Sequence, residues 1–529
     1  CLTHTMGLPP VPQAFPVTPQ TSGLMAPCRF EGEVRHLEVV GSIPKEIDGT
    51  FYRVMPDPQF PAFIGNDPWF NGDGNVTAFR ITDGKAHFKQ KFVRTEKFTK
   101  EGEAHRALLG KYRNRFTDAV PFKVRSTANT NIVYFRDKLL ACKEDSPPYA
   151  MDPITLETLG LYDFDGQLPS CTFTAHPKLD PISKEFVCFG YEARGEGTRD
   201  VCYFSFNQEG KLIENVSMVA PVCAMIHDFA VTENWVIFPI IPQTCDLERM
   251  KAGGEHWQWN PKIPFYLGVL PRRGAKRFDV KWFTAPNSFP GHGANAYEND
   301  HGEIVFDLAM SDENVFAWPD QDGNAPSAQE IVQKLTRFTF DPKSDMLDLP
   351  TPEVLLEDDM EFSKIDDRFL MRKHDHIFFD LMRREYTNFR SIGMKIGGGA
   401  PIYNSLAHLT ISTGSYDIYN PGSKHLIQEP VFIPRSAEEG DGWLMALVNN
   451  LDVGYSELHL VDTKNFVEAQ AVIKLPVRLR PGLHGIGWDR TNWLGGLEWF
   501  IYTAFRTSTK VPIPLIHIVI GVLFEKIVG

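Results

Sequence analysis

The sequence predicts an all-β protein built from blades repeated around an axis. From Phe30 onward, short runs of β-branched and aromatic residues alternate with Gly, Asp, Asn and Pro, at intervals of about ten residues that are typical of hairpins in a sandwich, barrel or propeller. Ile132–Phe135 and Lys138–Ala141, joined by Arg136 and Asp137, show one such hairpin. Because the pattern covers roughly 450 residues, it favours four-stranded blades in radial repetition over a single sandwich. No sequence repeat fixes the number of blades.

Three segments are predicted along the chain. Residues 1–27 are rich in proline and indicate an extended arm over the surface. Residues 28–489 carry the strand pattern and form the propeller, and residues 490–529 are a divergent tail. The apolar run Val511–Phe524 in this tail is too short to span a bilayer. Helical signals are scarce, and the best one is Ser327–Leu335, which begins with the spacing of a capping box.

Composition excludes some classes of function. A formal net charge of −13 argues against nucleic acid as a partner, since phosphate binding needs clustered Lys and Arg. The eight cysteines contain no Cys-x-x-Cys pair, which indicates a reducing compartment without a disulfide framework. Residues 1–30 lack the apolar core of a secretory signal. We therefore expect a cytoplasmic protein.

Four histidines share one kind of setting. His176, His227, His292 and His484 are each flanked by small or apolar residues, in or beside a strand-like run. Their separations are far too long for a zinc finger or a helical pair, so they can meet only through the fold. Inner strands of different blades point toward one axis, which lets such distant residues surround a central ion. Four imidazoles without a carboxylate or thiolate differ from the usual zinc hydrolase set. This favours a redox metal with room for dioxygen, although spacing alone does not select iron.

These motifs resemble one known family. The chain resembles the carotenoid cleavage oxygenases, and within them the stilbene-cleaving branch of fungal and bacterial lignostilbene or resveratrol dioxygenases. The resemblance covers about residues 28–485 and rests on the four histidine segments and on these stretches: Phe51–Val54, Trp69–Gly74, Asn129–Asn131, Met360–Phe362 and Leu475–Arg478.

The resemblance implies a fold, a cofactor and a reaction. The fold is a seven-bladed β-propeller whose active-site face is capped by loops and short helices. His176, His227, His292 and His484 would hold one Fe(2+) per chain. The reaction is oxidative cleavage of a carbon–carbon double bond by dioxygen into two carbonyl products.

Further site residues follow from the same resemblance. Glu144, Glu361 and Glu429 match the family's glutamates that accept hydrogen bonds from the ligand imidazoles. Tyr112 and Lys143 match the residues that bind the 4-hydroxyl of a stilbene and act in catalysis, and Phe70 matches an aromatic residue that packs on its ring. Lys143 and Glu144 are neighbours and face opposite ways on a regular strand. Both roles therefore require the strand to bend or end there, which Pro147 and Pro148 favour.

Three interpretations remain open at this stage. The favoured one is an Fe(II)-dependent oxygenase that cleaves the central double bond of 4-hydroxylated trans-stilbenes such as resveratrol or piceatannol into two aromatic aldehydes. The second keeps the iron chemistry but changes the substrate to an apocarotenoid, with the apolar tail facing a membrane. Under the first interpretation we do not expect membrane contact. The third is a non-catalytic propeller whose histidines are structural. The sequence does not predict the oligomeric state.

Overall fold

A computed structural model describes residues 14–65, 67–316, 318–324, 331–386 and 403–489. Within these ranges the regular secondary structure is almost entirely β-strand. The two α-helices are short: α1 (Glu96–Ala104) begins at Thr95, whose hydroxyl accepts from Phe98 N at 3.1 Å, and α2 (Leu247–Lys251) begins at Asp246, which accepts from Arg249 N at 2.7 Å. Both capping residues satisfy a free backbone N–H at the helix start.

The strands follow one another at short intervals, as the sequence pattern predicts. The first part of the chain contains β1 (Gly32–Val34), β2 (Glu38–Gly41), β3 (Gly49–Asp57), β4 (Asp73–Thr82), β5 (Lys85–Phe92), β6 (Asn131–Phe135), β7 (Lys138–Cys142), β8 (Tyr149–Met151), β9 (Thr158–Leu161), β10 (Lys178–Leu179), β11 (Phe186–Tyr191), β12 (Asp200–Phe206), β13 (Leu212–Val219), β14 (Ala224–Met225), β15 (Ala230–Val231), β16 (Trp235–Cys245) and β17 (Trp257–Trp259). The second part contains β18 (Phe265–Pro271), β19 (Lys281–Ala285), β20 (Phe289–Glu298), β21 (Ile304–Ser311), β22 (Lys334–Phe340), β23 (Glu353–Leu356), β24 (Met360–Lys364), β25 (His376–Leu381), β26 (Ser405–Thr410), β27 (Ser415–Tyr419), β28 (His425–Ile427), β29 (Val431–Pro434), β30 (Gly442–Asn450), β31 (Tyr455–Asp462), β32 (Asn465–Lys474) and β33 (Gly485–Asp489).

These strands pair into seven antiparallel sheets, the blades of a seven-bladed β-propeller. We number the blades around the ring, starting with the blade that holds β3, β4 and β5. Blade 1 holds β1, β3, β4, β5 and β33; blade 2 holds β6–β9; blade 3 holds β10–β13; blade 4 holds β14–β19; blade 5 holds β20–β23; blade 6 holds β24–β27; and blade 7 holds β2 and β28–β32. Inner strands of neighbouring blades, such as β20 and β24 or β33 and β6, contact one another around the axis.

The two ends of the described chain close the ring. In blade 1, β33 pairs with β3, from Gly49 opposite Asp489 to Arg53 opposite Gly485. In blade 7, β2 from the start of the chain pairs with β32 near its end. Blade 1 and blade 7 therefore each combine strands from the two ends of the propeller.

The hairpin predicted around Arg136 and Asp137 is confirmed. β6 and β7 pair from Asn131 opposite Cys142 to Phe135 opposite Lys138. The two turn residues both adopt positive φ, 49° and 59°, which is the type I′ turn that matches the twist of a two-residue hairpin.

The helix predicted at Ser327–Leu335 is wrong where the structure describes it. Residues 325–330, which hold the capping-box pair, lie outside the described ranges, and Lys334–Phe340 is strand β22. Leu335–Phe340 pairs antiparallel with β21 and buries Leu335, Phe338 and Phe340, so sheet pairing decides the conformation of this described end.

The predicted arm is described from residue 14. There, residues 14–27 reach the propeller, with Met25 fully buried, and Arg480 donates to the carbonyls of Met25 and Gln20. Residues 490–529, the predicted tail, lie outside the described residues. Among the residues described, no helix combines the length and apolarity needed to cross a membrane.

Candidate metal centre and substrate site

Each of the seven blades contributes one of the predicted histidines or glutamates. The histidines stand at inner strands: His176 just before β10, His227 between β14 and β15, His292 within β20, and His484 just before β33. The glutamates come from the other three blades: Glu144 after β7, Glu361 in β24, and Glu429 before β29. The radial fold thus collects residues that are hundreds of positions apart.

The four histidine rings converge on one point. Their candidate ligand atoms all lie within 4.8 Å of one another. His227 Nε2 lies 3.2 Å from His176 Nε2 and 3.0 Å from His292 Nε2. The His484 ring centroid lies 4.4 Å from that of His176 and 4.7 Å from that of His292. The structure therefore brings together all four histidines that the sequence singled out.

Hydrogen bonds on the far side of three rings fix the tautomers. The Nδ1 atom contacts Glu144 in His227, Glu361 at 2.7 Å in His292, and Glu429 at 2.9 Å in His484. A carboxylate only accepts, so each Nδ1 carries the proton and each Nε2 keeps its lone pair. His176 has no glutamate partner in the part of the chain described here.

This arrangement fits a metal cation. Lone pairs of neutral imidazoles facing each other at 3.0–3.2 Å repel unless a cation lies between them. Two nitrogens bound at right angles to one ion, each at about 2.1 Å, lie about 3.0 Å apart. The observed spacing between Nε2 atoms matches that value, and imidazole is a good ligand for iron, zinc, copper and nickel.

The glutamates are ionised and held by basic groups. Burial favours the neutral form, but His227 and Arg113 hold the pKa of Glu144 down to about 2. In the same way, His292 and two backbone N–H groups outweigh burial and hold the pKa of Glu361 at about 2.

Glu429 is the most heavily paired of the three. Lys364 contacts its carboxylate at 2.9 Å and Arg53 at 3.0 Å, and these cations with His484 overcome burial and lower its pKa. Three buried negative charges thus surround the histidines and offset the charge of a bound cation.

Local backbone features bring the glutamates close to their histidines. A Cβ on Gly291 would lie 2.2 Å from Glu361 Oε1, so only glycine allows this carboxylate to reach both the backbone N and the ring of His292. Phe362, the next residue after Glu361, has φ of 56°, and the pairing of β24 with β25 shifts register between Glu361 and Lys364. This bulge turns Glu361 toward the axis.

The predicted substrate residues form a second group beside the glutamates. Lys143 is 3 % exposed, and its Nζ lies 3.4 Å from Tyr112 Oη, 3.4 Å from Phe70 O and 3.2 Å from Asn129 Oδ1. Its ammonium also lies 4.6 Å from the centroid of the Tyr112 ring. The structure thus brings together all three residues, Phe70, Tyr112 and Lys143.

The charge of Lys143 is poorly compensated. The hydrogen-bond acceptors that the described residues supply to it are all neutral, and burial lowers its pKa to about 8 against the attraction of Asp145 and Glu144. Burial likewise raises the pKa of Tyr112 well above its usual value. The site therefore holds a phenol as a proton donor next to an amine that changes charge near neutral pH.

Aromatic rings enclose this polar pair. The Phe70 ring lies 5.9 Å from Tyr112, 5.9 Å from Phe316 and 6.0 Å from Trp318, and Tyr112 lies 5.1 Å from Trp318. We call Phe70, Tyr112, Phe316 and Trp318 the aromatic cluster. Its rings offer flat apolar surface for a planar aromatic ligand.

The sequence conflict between Lys143 and Glu144 is resolved by the strand end. β7 stops at Cys142, and Lys143 and Glu144 lie in the following turn. Tyr112 and Arg113 lie beside them, with Arg113 contacting Glu144 at 3.3 Å and Lys143 near Tyr112. We call Phe70, Tyr112 and Lys143 the substrate group, and the four histidines, the three glutamates and Arg113 the metal group. In each dipeptide the first residue belongs to the substrate group and the second to the metal group.

Several residues of the site were not found from the sequence. Arg113 supports Glu144, Asn129 links Lys143 to the Phe70 carbonyl, and Phe362 packs 5.2 Å from His292. Phe316 and Trp318 of the aromatic cluster were also missed. Asn129 lies in the Asn-Thr-Asn stretch and Phe362 in the Met360–Phe362 stretch that supported the resemblance, so both motifs were usable signals. Phe316 and Trp318 carried none.

In this seven-bladed propeller four histidines converge on the axis, and three of them are hydrogen-bonded to glutamates. This combination defines the class of double-bond-cleaving dioxygenases. Residues 25–487 match the model described as retinal pigment epithelial membrane protein. The chain belongs to this family, the carotenoid cleavage oxygenases. The interpretation as a non-catalytic propeller is thereby excluded.

Relatives and solved structures agree with this assignment. The chain is 63 % identical to resveratrol cleavage oxygenase 1 of Aspergillus fumigatus, over 92 % of this chain and 97 % of the relative. It is 59 % identical to carotenoid cleavage oxygenase 1 of Neurospora crassa, over 92 % and 93 %. The crystal structure of Pseudomonas brassicacearum lignostilbene dioxygenase superposes with a TM-score of 0.86 at 42 % identity, covering 90 % of this chain and 99 % of that one.

Proposed function

We propose that this protein is an Fe(II)-dependent dioxygenase that cleaves the central double bond of 4-hydroxylated trans-stilbenes such as resveratrol or piceatannol. One Fe(2+) per chain would be held by His176, His227, His292 and His484. One dioxygen and one stilbene give two aromatic aldehydes, each taking one oxygen atom. When bound, the iron supplies the activation of dioxygen toward the alkene.

The buried Lys143–Tyr112 pair is the observation that supports this substrate. Burying a charged lysine that is 3 % exposed and has neutral acceptors is unfavourable unless a ligand neutralises or pairs with its charge. A phenolic hydroxyl does so, because it donates a proton to the amine and then accepts hydrogen bonds as a phenolate. A hydrocarbon end group offers neither.

Each side chain has a separate task in this proposal. Lys143, whose pKa of about 8 leaves a usable fraction neutral at pH 7, takes the proton of the 4-hydroxyl. Tyr112 donates its O–H to the resulting phenolate, since its own raised pKa keeps it protonated. The phenolate pushes electron density through the conjugated ring to the central alkene, which becomes easier to oxidise.

The aromatic cluster orients the ring. Phe70 and Trp318 are stacked at an interplanar angle of 22° with centroids 6.0 Å apart, which provides parallel apolar surface beside the Lys143 amine. Packing against these rings fixes the plane of the stilbene and excludes water from the phenolate.

The test compares three substrates on iron-loaded protein. Turnover of a 4-hydroxystilbene, its 4-methoxy analogue and an apocarotenal is followed by chromatographic detection of the carbonyl products, together with the iron content per chain. We expect about one iron and two aldehydes from the hydroxystilbene, with little turnover of the methoxy analogue. Equal turnover of both stilbenes would show that Lys143 and Tyr112 do not act on the 4-hydroxyl as proposed.

An apocarotenoid substrate is the second candidate. The name of the Neurospora crassa relative, carotenoid cleavage oxygenase 1, favours it. Preferred cleavage of the apocarotenal in the same assay would select this candidate and retain the iron chemistry.

A further inference from the structure

A second cluster of reactive side chains lies in blade 4, outside the site described above. Cys223, Cys245 and Glu192 place their donor atoms within 4.8 Å of one another. Cys223 immediately precedes β14 and Cys245 ends β16. Both thiols are partly exposed and unpaired.

The two cysteines face each other across an antiparallel pair. Ala224 is registered opposite Thr244, so the next residues outward, Cys223 and Cys245, are also opposed. Cys245 N donates to Cys223 O at 2.9 Å. Directly opposed residues in such a pair have Cα atoms about 5.5 Å apart, within the range that a disulfide spans without backbone movement.

The neighbouring groups do not favour a metal ion. The Glu192 carboxylate already accepts from Arg113 Nη2 at 2.6 Å, His256 Nε2 at 3.1 Å and Gly197 N at 2.5 Å. His256 also donates Nδ1–H to Arg113 O at 2.8 Å, so neither ring nitrogen offers a lone pair. Beside the thiols lie two neutral atoms, the Met250 thioether 3.4 Å from Cys245 Sγ and Thr198 O 3.3 Å from Cys223 Sγ.

We propose that Cys223 and Cys245 are an oxidation site that converts reversibly, in the folded protein, between a dithiol and an intramolecular disulfide, with a low-molecular-weight disulfide such as glutathione disulfide as the oxidant. The Cys223 thiolate attacks one sulfur of glutathione disulfide and displaces one glutathione thiolate, which takes up the proton. Cys245 loses its proton and attacks the Cys223 sulfur of the mixed disulfide, releasing the second glutathione. The protein loses two electrons and two protons, and glutathione disulfide gains them.

Two features support this order of attack. Hydrogen bonding with Cys223, followed by burial, raises the pKa of the Cys245 thiol, so Cys245 keeps its proton at first. Glu192 outweighs burial and raises the pKa of His256 to about 9, so a cationic imidazole adjoins Cys245 and stabilises negative charge on that sulfur when it becomes the second nucleophile.

The disulfide would close a ring around a histidine of the metal centre. His227 lies between the two cysteines in sequence, on the connection from β14 to β15. Oxidation would therefore tie the start of β14, which precedes this histidine, to the end of β16.

The experiment measures the thiol state of the full-length iron-loaded protein. Protein is equilibrated in glutathione buffers of decreasing reduced fraction, alkylated, and analysed by intact mass and peptide mapping. Trypsin releases both cysteines in one peptide, residues 212–249, which holds no other cysteine, and cleavage after Glu233 separates them unless they are linked. We expect the loss of two alkylation sites and of two hydrogens, with the Glu233-cleaved halves still joined, and full reversal by dithiothreitol.

Two variants and a control sharpen the result. In Cys223→Ser and Cys245→Ser, the one cysteine left in peptide 212–249 is expected to carry a glutathione adduct and to form no disulfide. The control Cys171→Ser, at an exposed cysteine, is expected to form the Cys223–Cys245 disulfide normally. The proposal is overturned if Cys223 and Cys245 can both still be alkylated in excess glutathione disulfide. It is also overturned if each of these two cysteines of the wild type carries its own glutathione adduct. Bound zinc that shields both thiols would overturn it as well.

Discussion

The metal group and the substrate group are neighbours built on opposite principles. The metal group stands on or beside inner strands, and each of its buried carboxylates is paired with a histidine. The substrate group stands in turns and loops, and its one buried cation, Lys143, has neutral acceptors. In the first, each carboxylate already has its partner within the protein. The second is left for a ligand to complete, and this difference predicts how each responds to mutation.

The largest effect is expected from His292→Ala, which removes one of the converging nitrogens and leaves the Glu361 carboxylate without its imidazole. We expect iron content to fall from about one per chain to near zero, and turnover to disappear. Mass spectrometry of anaerobically purified protein measures it. His301→Ala is the control, an exposed histidine in the β20–β21 turn of the same blade, and should keep full iron. A folded His292→Ala protein that retains iron would contradict the four-histidine site.

Lys143→Met tests the substrate group alone. Loss of the proton acceptor is expected to lower kcat/KM for a 4-hydroxystilbene by about 100- to 10,000-fold, while iron content stays unchanged because no ligand or glutamate is touched. Lys111→Met, in the same loop as Tyr112 but ion-paired with Glu255 at 2.8 Å and partly exposed, is the control. Loss of iron in Lys143→Met would show that the two groups are not separable.

Glu361→Gln weakens the metal group without removing a ligand. Replacing the carboxylate reduces the basicity and orientation of His292, for which we expect about a 10- to 100-fold loss in iron affinity. Competition with a chelator measures it. Glu457→Gln is a matched control, because Glu457 Oε2 holds His459 Nε2 at 2.8 Å in another buried Glu–His pair of blade 7. Equal loss of iron affinity in both variants would indicate a general destabilisation.

The pH dependence distinguishes the proposed role of Lys143. Its folded pKa is depressed to about 8, so the amine able to accept a proton increases as pH rises through that value. We expect kcat/KM for a 4-hydroxystilbene to rise up to about pH 8 and to level off until the free phenol ionises near about 10. A rise that continues to about 10 would assign the titration to the substrate. Lys143→Met should lack the step at 8.

The smallest effect is expected from Trp318→Leu in the aromatic cluster. Losing one aromatic contact should raise KM about 2- to 10-fold, with little change in kcat. Steady-state kinetics measure both constants, and Phe278→Leu, at a ring that is 89 % exposed, serves as the control. An unchanged KM would place the stilbene ring elsewhere.

The sequence predicted the residues of the site better than their surroundings. The histidine contexts and the hairpin at Arg136–Asp137 are local signals, and both appear in the structure. Arg113 could not be predicted, because its partners Glu144 and Glu192 come from distant strands. Phe362 adopts positive φ, which propensity does not foresee for an aromatic residue. Of the helix expected at Ser327–Leu335, the described end is wrong, because Lys334 and Leu335 pair with β21 as a strand.

Closure of blade 1 by β33 has a consequence for how the protein is made. β33 follows His484 directly and pairs with β3, more than four hundred residues earlier in the chain. During synthesis, the N-terminal blades emerge first, yet the fourth histidine reaches the axis only when nearly the whole propeller has left the ribosome. A metal that needs all four histidines would therefore be captured only after most of the chain has been synthesised, and a chain truncated before His484 would present three histidines.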